Sequence, residues 1–269
     1  MLVISSKEND TIKRIKKLKE KKYRDEYSKF LIEGIKIVNE AFDNNANIES
    51  IIICEELLES NNSNSQLKEL KDKINQFDEG KKIYVTEDII KILSDVMNPQ
   101  GVMAIINKRI NLDINYNEDV ILVLDNIQDP GNLGTIIRTA DSCDLKQIII
   151  TKETADPYNS KVLRSTMGAI FRVAIIESED IVNSIQEMKE NGFELVTTSL
   201  QTDNLIYDID YHKKIIVIGN EANGVEEKIE NISDIRVKIP MLGKTESLNA
   251  SVATGIILYE YIRKKIKLI

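Results

Sequence analysis

Apolar residues recur along this chain with two alternating periods. Between Lys7 and Lys21 only Ile12, Ile15 and Leu18 are apolar, a spacing of three that predicts a helix over 7–21 with one buried side. Phe30-Leu31-Ile32 then reads as a short strand, Gly34 to Phe42 as a helix and Ile51 to Cys54 as a buried strand. A polar loop at Asn61 to Ser65 leads into a charged helix from Gln66 to about Gln76. Strand Ile83–Val85, helix Glu87–Leu93 and strand Val102–Ile106 follow. Strands interleaved with helices predict a compact α/β module over residues 1–107. Residues 108–118 lose the periodicity and carry polar turn-formers, so the linker is placed there and a second domain at 119–269.

The second part restarts with the uninterrupted apolar run Val120 to Leu124 and a turn from Asp125 to Pro130, then a helix from Gly131 to Ser142. Strands are predicted at 148–151, 172–176, 194–198, 215–218 and 235–239, with a helix at 179–190 and a closing helix from Asn249 to about Ile266. Near-continuous Ile and Val runs separated by helices predict a parallel sheet covered on both faces. Ligands of such sheets bind beyond the carboxyl ends of the strands, so the loops there carry the functional candidates.

Composition narrows the class. Hydrophobic residues make up 42% and charged residues 30%, a globular balance, and no apolar run reaches the length of a membrane span. The opening MLVISSKEND has no basic segment followed by an apolar core, so a secretory signal is not expected. With only Cys54, Cys143 and His212, neither a disulfide framework nor a zinc site is expected, and a reducing cytoplasm fits. The net charge of −8 argues by itself against nucleic acid. Its distribution reopens the question, because Lys7, Lys13, Arg14, Lys16, Lys17, Lys19, Lys21, Lys22 and Arg24 cluster near the start. That run is either a solvated helix face or a phosphate-binding patch on an acidic body.

Three loops carry candidate chemistry. In the first, Asp125 to Arg138, Pro130 and Gly131 force a tight turn, Asn132 can cap the next helix, and its N-terminus offers an anion site. Arg138 lies six residues on, roughly on the same helix side. It either serves a ligand there or pairs with a surface carboxylate. Gly131-Asn132-Leu133-Gly134 is no dinucleotide fingerprint, which removes the support for a nicotinamide-dependent oxidoreductase. In the second loop, Gly219-Asn220-Glu221-Ala222-Asn223-Gly224, the glycines permit close backbone approach to a ligand. Glu221 is a charge that needs a partner if partly buried, although an ordinary βα turn is also compatible. The third loop runs from Ile239 to Gly255. Ser247 and Asn249 are both candidate helix caps, and the small residues Ala250, Ser251, Ala253 and Gly255 predict a closely packed helix start.

As an ordered set, DPGNLGTIIRTA, GNEANG and IPMLGKTESLNASVATG, residues 119–266 closely resemble the SpoU (TrmH) branch of the SPOUT RNA methyltransferases. Residues Asn159 to Ala169 are similar to the family's segment between its first two motifs. More loosely, residues 1–107, with Phe30 to Gly34, are similar to the family's substrate-binding domain, whose fold is like that of ribosomal protein L30e. One departure is Ala222, where many members carry Gly. The resemblance implies an α/β trefoil-knot domain with a parallel sheet, preceded by a smaller L30e-like α/β domain. It also implies a homodimer, S-adenosylmethionine as cofactor, and methyl transfer to a ribose 2′-hydroxyl without a metal. By position, Leu200, Gly219, Ile239, Met241 and Leu248 would hold the cofactor, and Asn132, Arg138, Glu221, Ser247 and Asn249 would form the catalytic set. The resemblance implies Arg138 as the base; since an arginine stays protonated at any working pH, phosphate orientation and charge stabilisation are the safer roles, and the choice between them stays open. The added N-terminal domain points to ribosomal RNA, 23S in particular, as substrate. Transfer RNA is the alternative within the class, and a non-catalytic RNA-binding protein with a degenerate enzyme domain the alternative outside it.

Overall fold

A computed structural model describes residues 3–60, 65–245 and 247–267. The chain forms two compact units: Met1–Ile110 with Tyr158–Phe171, and Asn111–Pro157 with Arg172–Ile269.

In the first unit the elements are β1 (Val3–Ile4), α1 (Asp10–Lys17), α2 (Lys21–Tyr27), β2 (Lys29–Glu33), α3 (Ile35–Asp43), β3 (Ile48–Ile53), α4 (Glu55–Ser60), α5 (Ser65–Gln76), β4 (Lys82–Val85), α6 (Glu87–Leu93) and β5 (Val102–Asn107). The sheet order is β1-β4-β3-β5-β2, with β5 antiparallel to both neighbours and the remaining pairs parallel. Ile12, Ile15 and Leu18 are buried as their spacing predicts, and they join a core with Ile52, Ile89, Ile90 and Met103. The single helix expected over 7–21 is instead two, because the chain turns at Leu18–Glu20. Arg24 makes that break tolerable: buried at 4% exposure, it donates to the Leu18 carbonyl at 2.8 Å. The loop expected at Asn61 to Ser65 lies, up to Asn64, outside the described residues.

The second unit holds β6 (Val120–Leu124), α7 (Pro130–Ser142), β7 (Gln147–Thr151), β8 (Ala174–Ser178), α9 (Ile181–Glu190), β9 (Glu194–Thr198), β10 (Lys214–Ile218), α10 (Glu227–Glu230), β11 (Ile235–Val237) and α11 (Ala250–Lys267). Helix α8 (Ser160–Thr166), between β7 and β8 in sequence, belongs to the first unit, where Tyr158 packs on Phe30 with ring centroids 4.6 Å apart. The six-stranded sheet is parallel throughout, in the order β11-β9-β10-β6-β7-β8. Every residue of β6, β7 and β10 is buried, as strands covered on both faces require. Ile121, Val123, Ile215 and Val217 pack with Ile181, Ile185 and Met188 of α9.

Residues 111–118 are not a free linker. Gln147 exchanges two hydrogen bonds with the Asn115 backbone, and Ile114 and Tyr116 pack on the second core. The strand expected at 172–176 is displaced to 174–178, since pairing with β7 begins at Ala174 opposite Gln147 and Arg172 is engaged with Asp141. No described helix is long and apolar enough to cross a membrane.

Candidate active site

Strand order places the site. From β6 the chain runs on to β7 on one side, whereas from β10, paired in register with β6, it runs to β11 on the other. Adjacent strands whose connections diverge open a crevice at their carboxyl ends. The loops after β6 and β10 meet in that crevice, and the loops after β9 and β11 flank it.

Helix α7 begins differently from expectation. Asp129, not Asn132, caps it, accepting the Asn132 N–H at 2.8 Å, with Pro130 in the first turn where its missing N–H costs nothing. The carboxylate occupies the N-terminus that was expected to hold an anion, and the Asn132 side chain is free for other work. Its Nδ2 donates to Glu221 Oε1 at 2.6 Å, and its Oδ1 accepts from Asn249 Nδ2 at 2.9 Å. Asn249 also caps α11, its Oδ1 accepting the Ser251 and Val252 N–H groups. Of the two candidate caps in the third loop, Asn249 therefore fills the role and Ser247 does not. Three loops distant in sequence are thus joined through one chain of side-chain hydrogen bonds. Glu221 is exposed, not part-buried as expected, yet it has the partner its charge called for.

Beside this chain lies a cavity of about 460 Å³, in the range of cofactor pockets. It is lined by Leu200, Gly219, Ile239, Met241 and Leu248, together with Glu221 and Ser247. Gly219 is there because the loop closes on itself: a Cβ would stand 2.2 Å from the Gly224 carbonyl carbon and the Val225 nitrogen. The cradle therefore exists only with glycine. Asn220 shapes the same loop, its Oδ1 accepting the Ala222 and Asn223 N–H groups. Ala222 has no left-handed backbone angle, so its methyl group is accommodated in the loop. Leu200 is 64% exposed at the pocket edge, an apolar surface suited to a planar base.

Arg138 is exposed on α7 and, among the described residues, makes no hydrogen bond or ion pair, so the surface-carboxylate alternative does not hold. It does not line the cavity. Helix α11 packs on α7, but a Cβ at Gly255 would lie 4.0 Å from Thr139, an ordinary contact. Packing on α7 does not itself require that glycine.

Sequence reasoning missed Thr198, Ser199 and Gln201 in the cavity wall. They follow or adjoin strand ends, which is the signal that could have found them. It also gave no role to Asp125, buried at the end of β6, where burial pushes the carboxyl pKa up.

A parallel α/β sheet, a ligand-sized cavity at its carboxyl edge and a polar side-chain network beside that cavity define an α/β protein with a small-molecule site. Comparison with known proteins narrows this. Residues 119–259 match the model of the SpoU rRNA methylase family, and residues 9–104 match an MRM3-like substrate-binding domain. The chain belongs to the SpoU rRNA methylase family. It is 30% identical over 261 residues, 96% of its own length and 98% of the relative's, to the 23S rRNA (guanosine(2553)-2′-O)-methyltransferase RlmP of Bacillus subtilis. Among solved structures, an rRNA methyltransferase from Sinorhizobium meliloti, also solved with AdoMet bound, is 32% identical with a TM-score of 0.84 and covers 98% of both chains. An RNA 2′-O ribose methyltransferase matches at 26% identity and a TM-score of 0.80, over 98% of this chain and 100% of that one.

Proposed function

We propose that the chain is an S-adenosylmethionine-dependent methyltransferase acting on a ribose 2′-hydroxyl of ribosomal RNA, 23S in particular. The observation that carries this reading is the Glu221–Asn132–Asn249 chain set beside an apolar cavity whose wall admits only glycine at 219. Leu200, Ile239, Met241 and Leu248 supply the apolar surface for the cofactor, and Gly219 lets the backbone approach it. Bound there, S-adenosylmethionine supplies a methyl group already activated on sulfonium. The chain's own residues then have to align the hydroxyl in line with that methyl. Asn249 orients Asn132 and Asn132 orients Glu221, so the network sets one fixed edge for the ribose. Ser247, at the cavity wall, is proposed as a further contact. The unpaired fork of Arg138 suits an RNA phosphate and the charge that develops on the ribose oxygen. The homodimer that the family resemblance implies is part of this proposal. Two free, buried cysteines fit a cytoplasmic protein.

The test is transfer of labelled methyl to total RNA from cells lacking this protein, followed by mapping of ribose methylation. Alkali-resistant label in 23S rRNA is expected. Label confined to transfer RNA would move the substrate, and no label in any RNA would leave a non-catalytic RNA-binding protein.

The first unit is proposed to hold RNA through the exposed part of its basic run. Lys19 is tied to Asp95 and two backbone carbonyls, and Arg24 is buried, so neither contributes. Lys13 pairs with Glu8 and Lys21 with Asp25, so Lys7, Arg14, Lys16, Lys17 and Lys22 remain exposed and outside ion pairs among the described residues. The test takes Lys16, Lys17 and Lys22, the last two within 5.6 Å of the Tyr23 ring centre. Replacing these three by Glu should weaken RNA binding and flatten its log–log salt slope by about 2. Cofactor affinity, measured calorimetrically in the same proteins, should not move. An unchanged slope would return the run to a solvated helix face.

A further inference from the structure

Asp125 is a buried carboxylate with no part in the chemistry above. It follows five buried apolar residues of β6 and is itself 2% exposed. Placing a carboxylate there is costly unless it is hydrogen-bonded. Its N–H extends the pairing with β10 by donating to the Ile218 carbonyl at 2.9 Å. Its Oδ2 accepts the Glu226 N–H at 2.7 Å. The next residue, Asn126, has a left-handed backbone (φ 57°) and its carbonyl accepts Asn220 Nδ2 at 2.9 Å. Two consecutive residues at the end of β6 therefore grip both ends of the 219–226 loop, Asn220 at its start and Glu226 at its finish. Between the grips the loop is bonded to itself, with Asn220 and Gly224 exchanging N–H and carbonyl at 2.9 Å.

We propose that Asp125 is a positioning residue that fixes the shape of the 219–226 loop, and so the affinity for cofactor, through its bond from the Glu226 N–H. This rests on reading that loop as the S-adenosylmethionine loop. The carboxylate does not touch the cavity, since Asp125 is absent from its lining. Its effect reaches the ligand only through the backbone it holds. Ionisation is not required for the bond, because an amide oxygen accepts the same N–H.

Two substitutions remove the bond from opposite sides. Asp125→Ala deletes the acceptor. Glu226→Pro deletes the donor without touching Asp125, and φ at Glu226 is −61°, the value proline fixes. Each should raise the calorimetric Kd and the KM for S-adenosylmethionine about tenfold, the upper end of the scale for one lost hydrogen bond. The kcat at saturating cofactor should change by less than about threefold, as for lost uniform binding. Asp125→Asn should return Kd to within about threefold of wild type, and the double variant should be no worse than the weaker single one, since both remove one interaction. Wild-type Kd in folded Asp125→Ala or Glu226→Pro would overturn the proposal. So would an Asp125→Asn variant as impaired as Asp125→Ala, or losses of binding that follow melting temperature across all variants. A wild-type protein that does not bind S-adenosylmethionine is a different result and overturns the parent reading.

Discussion

Arg138→Ala is expected to lower single-turnover methyl transfer to ribosomal RNA by about 10²- to 10³-fold, the effect of removing one transition-state donor. Its melting curve and its calorimetric affinity for S-adenosylmethionine should both match wild type. The asymmetry follows from where the side chain stands. Arg138 is exposed, has no partner among the described residues, and lies outside the cavity wall, so neither the fold nor the cofactor depends on it. An exposed guanidinium with nothing to bond is available to a phosphate that it can meet with two N–H groups at once. Arg138→Lys should recover little of the rate, because a point charge cannot reproduce the planar fork. Near-wild-type transfer by Arg138→Ala would remove the residue from the mechanism. A large drop in melting temperature would make its role structural.

Gly219→Ala is expected to weaken cofactor binding by about 10- to 100-fold, even though only one methyl group is added. The new carbon would meet backbone atoms of Gly224 and Val225 at 2.2 Å, and backbone cannot swing aside as a side chain end can. Overpacking of this kind costs about 1 to 3 kcal/mol. The nearby loop has to open to relieve it, and the cavity wall moves with it. Gly224 provides the contrast within the same loop. Its φ is +73°, but a Cβ there meets nothing within 4 Å, so Gly224→Asn, a residue that tolerates this conformation, should cost far less. Calorimetry on both variants decides the matter: equal affinities would mean that the closure at Gly219 does not shape the site.

The parts of the molecule that sequence made legible are those decided by local pattern. Val120 to Leu124, Glu87 to Leu93 and Glu194 to Thr198 form the elements their apolar periods predict, residue for residue. What stayed hidden depended on partners far along the chain. Asn132 looks like a helix cap by residue type, but Asp129 wins that place, and the role of Asn132 appears only once Glu221 and Asn249 are beside it. Gly219 suggests backbone near a ligand; the stronger constraint is its own loop, visible only with Gly224 and Val225 folded back. The basic run counts nine charges in sequence, yet Arg24 is spent on the break between α1 and α2 and Lys19 on the Ser94 region. Composition cannot distinguish a cation that faces solvent from one that holds a turn.

The excursion of residues 158–171 into the first unit changes how this chain could be taken apart or recombined. The polypeptide passes from one unit to the other three times, after Ile110, after Pro157 and after Phe171. A gene fragment that begins at Asn111 would still encode Val162, Leu163, Ala169 and Ile170, all buried in the whole protein, but not the residues of the first unit around them. Exchanging the front unit for that of a relative by one crossover near residue 110 would leave a foreign insert against the new partner. The heritable module is therefore the front unit together with its inserted helix, and a clean exchange needs three junctions, where the linear order of motifs suggests one.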